Sequence, residues 1–167
     1  AIRALGAHDA LGLVADRFER FEPPRQIQLL RELPYRRQGA TITAEHQDLA
    51  WRGVASPVPE VRDFAVHWLA ANCTEPLPFL RRLWEMLAAM PAGRERDAFD
   101  RRVWDAGCGL MDQLDPPALM AVVKESGGRR WIEAAINRVE RLEADRASWY
   151  AELAAAMPGI VPEAARV

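Results

Sequence analysis

The sequence predicts an all-α protein, either a multi-helix bundle or a short irregular stack of antiparallel helical hairpins. Three observations carry this. Apolar residues recur every three or four positions along most of the 167 residues, which is the spacing of one helix face. Proline and glycine interrupt that pattern at short intervals, as they do between helices. Alternating runs are almost absent: only Thr41 to Thr43 reads as extended, too little to build a sheet. Half of the residues are apolar, enough for a buried core. Residues 1–167 are therefore read as a single helical domain, with an internal boundary to be sought near 56–59 or 125–128.

Ala10 to Phe21 reads as a first helix, with Leu11, Val14, Ala15 and Phe18 on one face and Asp9 as its cap. Pro23-Pro24 start the next element, a short helix over Gln26 to Leu33 that Pro34 terminates. Ala44 to Val54 follows, starting after Thr43. Ser56-Pro57-Val58-Pro59 breaks the chain, and Glu60 to Ala71 forms a helix with Val61, Phe64, Ala65, Trp68 and Leu69 inward. Thr74 reads as the cap of a helix with Pro76 and Pro78 in its first turn and Leu80, Leu83, Trp84, Leu87 and Met90 as its stripe.

A long helix is expected over Arg94 to Leu114. Gly107 and Gly109 lie inside it, each costing about 1 kcal/mol of helicity against alanine, so a close helix crossing or a local break is expected there. Asp115-Pro116-Pro117 restarts the chain into a short helix over Ala118 to Val123. The turn Glu125 to Gly128 opens a second long helix, Arg129 to Tyr150 or beyond, striped by Ile132, Ala135, Ile136, Val139 and Leu142. Met157-Pro158-Gly159 ends the helical region, and 160–167 reads as a tail.

Composition narrows the function classes. A net charge of -2 with 28% charged residues argues against a dedicated nucleic-acid binder, which carries a basic excess. Lys124 is the only lysine. Arginine suits interfaces, although a compositional bias, alongside abundant alanine, is the simpler account. No apolar run approaches the ~20 residues of a membrane span, and the first residues lack the basic-then-apolar order of a secretory signal. Cys73 and Cys108 have no CxxC partner and read as two buried thiols in a reducing compartment. A cytoplasmic setting is expected.

Residues 57–70, PVPEVRDFAVHWLA, resemble the second helix of a HEAT-type repeat. Glu60, Val61, Arg62, Ala65 and Leu69 stand in the acidic, Val-Arg, Ala and Leu positions. In that role Val61, Ala65 and Leu69 pack inward and Arg62 reaches a carboxylate in the neighbouring repeat. GRERDAFDRRVWDA, residues 93–106, is a looser echo, and 127–140 looser still. The resemblance implies partner binding along a concave face. The predicted helix lengths are too uneven for a regular solenoid, whose repeats recur at about 40–47 residues.

No reaction signature accompanies this framework. His8, His46 and His67 form no HExxH or HxH pattern. A zinc site from His46, His67, Cys73 and Cys108 ranks well below a partly buried, hydrogen-bonded histidine. No Glu-x-x-His pair marks a di-iron bundle. Ser56, Ser126 and Ser148 have no nucleophile-elbow context, and Cys108 in AGCGL has no catalytic partner in the sequence. No metal and no cofactor is expected.

Two groups of residues are candidates for binding. Gly127, Gly128, Arg129 and Arg130 form a turn into a helix start, where backbone donors, two arginines and the dipole suit an anion. Arg81, Arg82, Arg101, Arg102, Trp149 and Tyr150 are the candidates for contact with a partner, since Arg, Trp and Tyr dominate binding hot spots. The six tryptophans, spread along the helices, read mainly as core. The function expected is a helical interaction or adaptor module that binds a protein partner or itself. The alternative is a small-molecule enzyme or regulator with a pocket between helices, its polar groups drawn from His46, His67, Cys73 and the carboxylates of 95–105. Nucleic-acid binding through the arginine pairs ranks third.

Overall fold

In the computed structural model, residues 12–142 and 146–158 are described. All regular structure among them is helical. Residues 12–15 are helical, followed by a 3-10 turn at Phe18–Arg20. The helices that follow are α1 (Pro23–Arg31), α2 (Ala44–Val54), α3 (Pro59–Ala71), α4 (Pro76–Ala89), α5 (Arg94–Cys108), α6 (Pro116–Glu125), α7 (Arg129–Val139) and α8 (Arg146–Ala156). Asp9, His8 and the 160–167 tail lie outside the described residues.

The chain separates into two compact units. Residues up to Thr74 combine with Ala92–Ala106 in one, and Glu75–Pro91 combine with residues from Gly107 onward in the other. The breaks at 56–59 and 125–128 are turns within units.

The first unit is built on α3. Both α1 and α2 pack against it, and Val61, Ala65, Val66 and Trp68 are fully buried along it. Full burial of a large apolar side chain contributes about 1.5–3 kcal/mol. The α2–α3 crossing is tight: a Cβ on Gly53 would lie 2.8 Å from the Ala65 Cβ. Polar side chains close the end of α3. The Trp68 indole donates to Pro34 O at 3.1 Å. Buried Asn72 accepts from the Arg36 N–H at 2.7 Å and donates to Trp68 O at 2.8 Å. Helix α2 begins where Thr43 predicts, in a capping box completed by His46: the His46 N–H donates to Thr43 Oγ1, and His46 Nδ1 accepts from the Thr43 N–H at 3.1 Å.

In the second unit α6 packs against α7 and α8, and α4 also touches α6. Asp115 caps α6 by accepting from the Ala118 N–H at 2.9 Å. Trp84 and Trp131 meet edge to face with centroids 5.3 Å apart.

Several expectations need correction. The helix expected over Arg94 to Leu114 ends at Cys108, and a 3-10 turn follows at Met111–Gln113. Gly107 is both suggested things at once: the helix ends beside it, and a Cβ there would run into the Trp131 ring. The helix expected over Arg129 to Tyr150 is two helices, α7 and α8. The reason is phase. At about 100° per residue, Trp149 would sit roughly a quarter-turn away from the Ile132–Val139 stripe. With the chain broken, Trp149 is buried and its indole donates to Pro116 O at 3.0 Å. Thr74 is not a cap; α4 starts from Glu75 with no side-chain cap bond. Of the two thiols expected to be buried, Cys73 is half-buried and Cys108 exposed. His67 is exposed rather than partly buried.

Candidate functional site

The first unit holds a groove of about 620 Å³ between α3 and α5. It follows from Pro57 and Pro59, which end one chain segment and start α3, and from Gly93, which precedes α5. Phe99 is buried at its base and Ala98 is exposed on its rim.

Charge organises its walls. Arg62 is only 6% exposed, and a buried cation must be paired or pushed out. Its Nη2 donates to Glu95 at 2.6 Å and to Pro57 O at 3.4 Å, and its guanidinium lies 5.5 Å from the centre of the Phe99 ring. Arg102 donates to Asp63 at 2.6 Å, and that bond holds the Arg102 guanidinium further above its usual range. Two crossed ion pairs, one from each helix, thus fix α3 against α5. Arg94 and Arg101 also line the groove; both are exposed, and neither forms an ion pair among the described residues.

Of the predicted contact residues, Arg101 and Arg102 belong to this groove. The others belong to the second unit. Arg81 is committed to Glu125 through two bonds of 2.6 Å, and the guanidinium holds the Glu125 carboxyl below the usual carboxylate range. Arg82 is exposed. Trp149 is buried, so its ring is not at the surface. Tyr150 is half-buried and donates to Glu140 at 3.1 Å; burial first, then that bond, pushes its phenol up. At the turn, Gly127 takes φ +63, a left-handed conformation suited to glycine. Gly128 is the N-cap of α7 and accepts from the Trp131 N–H at 3.0 Å. Arg129 points along its own helix to Glu133 at 2.7 Å, and Arg130 is half-buried.

Arg94, Arg62 and Asp63 were missed as site residues. A signal was present for Arg94: it stands seven residues before Arg101, hence on the same helix face. The carboxylates of 95–105 proposed for a pocket are represented by Glu95 and Asp105. His46, His67 and Cys73 do not line this groove. Among the described residues, no group of three or more His, Cys, Asp or Glu is placed to hold a metal ion, and no helix is long and apolar enough to cross a membrane. Leu13 is the one strongly exposed large apolar residue among them. Comparison with family models, curated proteins and solved structures finds no match.

Proposed function

We propose that this chain is a helical interaction module that binds a protein partner, or a second copy of itself, through the α3–α5 groove. The observation that carries this is the pair Arg94 and Arg101: two exposed cations with no carboxylate partner among the described residues, on the rim of a groove where Arg62 is paired with Glu95 and Arg102 with Asp63. The HEAT-like reading of 57–70 supports it. Val61, Ala65 and Leu69 are buried, and Arg62 reaches Glu95 on the next helix but one, which are the roles the resemblance assigns. The interface is polar rather than greasy, since exposed large apolar residues are scarce among the described residues. The module belongs in the cytoplasm, where an exposed thiol such as Cys108 stays reduced.

The test is photo-cross-linking in cells of the native host, with a photoreactive residue replacing Ala98. A discrete protein adduct is expected, or an adduct of twice the chain mass for self-association, and it should vanish with Arg94→Glu plus Arg101→Glu. An adduct pattern indifferent to those two substitutions would overturn the proposal. A small-molecule mass on the purified chain, with no protein adduct, would replace it with the pocket reading.

A further inference from the structure

We infer that the segment seated in the α3–α5 groove is an acidic peptide in polyproline-II conformation, with two carboxylates three residues apart; this rests on the interaction reading above. Charge complementarity is the first argument. Four arginines and three carboxylates line the groove. Glu95 is taken by Arg62 and Asp63 by Arg102, and the third carboxylate, Asp105, acts on Arg102, so among the described residues the cations left to a partner are Arg94 and Arg101. An arginine fork matches a carboxylate in two parallel bonds.

Spacing is the second argument. Seven residues of α-helix put Arg94 and Arg101 on one face, about 10 Å apart along the axis. A polyproline-II segment has three residues per turn and a 3.1 Å rise, so side chains at i and i+3 share a side about 9 Å apart. A β-strand sends i and i+3 to opposite faces, and a helix brings them to about 5 Å. Ala98, exposed between the two arginines, leaves room for the peptide backbone. A single-stranded nucleic acid fits less well. It follows a continuous basic track, whereas here Asp63, Glu95 and Asp105 interrupt the cations.

The experiment is fluorescence polarisation on the whole chain with a labelled peptide, Gly-Glu-Pro-Pro-Glu-Pro-Gly. Binding is expected, weakening with added salt. Arg94→Gln and Arg101→Gln should each weaken it about tenfold, while Arg20→Gln, exposed and outside the groove, should leave it unchanged. Peptides with the glutamates made adjacent, or replaced by glutamine, should bind at least about tenfold more weakly. The inference is overturned if the peptide does not bind, if spaced and adjacent glutamates bind equally, or if an oligothymidylate displaces the peptide and binds more tightly. Should the Ala98 cross-link persist and depend on both arginines while the peptide fails, the acidic-peptide inference falls alone. Should the cross-link also fail, the interaction reading falls with it.

Discussion

The two units enclose their buried tryptophans in different ways. In the first, the indole of fully buried Trp68 has an acceptor in Pro34 O, and Asn72 ties the neighbouring backbone on both sides. In the second, Trp84 packs edge to face on Trp131, and its Nε1–H is buried with no hydrogen-bond partner among the described residues. The second core also gives Trp149 an acceptor in Pro116 O, but around Trp84 it is shaped by aromatic contact and by the missing side chain of Gly107. The first is shaped by apolar contact plus polar closure. Steric changes should therefore hurt the second unit more, and polar deletions the first.

The largest effect separates two glycines. Gly107→Ala drives a methyl into the Trp131 ring, which is buried and cannot swing away, and should cost about 3 kcal/mol. Gly53→Ala meets Ala65 at a less severe distance and should cost about 1–2 kcal/mol. Urea titrations followed by far-ultraviolet circular dichroism rank them; equal costs would erase the steric distinction between the units.

A smaller contrast lies in the tryptophans. Trp68→Phe strands Pro34 O and should cost about 1–3 kcal/mol. Trp84→Phe removes a donor that has no acceptor, which offsets the lost contact area, so its cost should stay below about 1 kcal/mol. The same titrations decide, and a Trp84→Phe cost matching that of Trp68→Phe would mean that the indole N–H has an acceptor in solution.

The smallest effect is electrostatic and confined to the second unit. Arg81 lowers the Glu125 carboxyl from its ordinary 4.5. A depressed folded-state value means stability that is present above about 4.5 and lost as pH falls through the folded value. Because the pair is well exposed and screened by solvent, its contribution should be the smallest of these effects. Glu125→Gln should remove that increment at neutral pH and flatten the acid limb of the stability curve; an unchanged acid limb would show that the pair contributes nothing measurable.

Much of the helical framework was legible in the sequence, because its ends carry chemical punctuation. Thr43 and Pro59 set the starts of α2 and α3 to within a residue of the reading, and Asp115 caps α6 beside the prolines that signalled it. The break between α7 and α8 was not legible. No glycine or proline marks it, and it is imposed by Trp149 finding Pro116, far away in sequence. The site was half legible for the same reason. Arg101-Arg102 stands out as a pair, but which arginine is consumed depends on Asp63 and Glu95, partners delivered by folding. Trp149 read as an outward hot spot because the sequence cannot distinguish a buried indole that has an acceptor from an exposed one.

Helix α5 starts in one unit and, through Gly107 and Cys108, ends in the other. The first unit is thus a discontinuous stretch of chain, interrupted by α4. During synthesis from the N-terminus its core helices emerge early, yet Arg62 has no Glu95 until the ribosome has also delivered the whole of α4. A fragment stopped after Thr74 would lack both Glu95, which pairs with Arg62, and Phe99, whose ring lies against it. The groove therefore comes into being late in translation, after part of the second unit has been made.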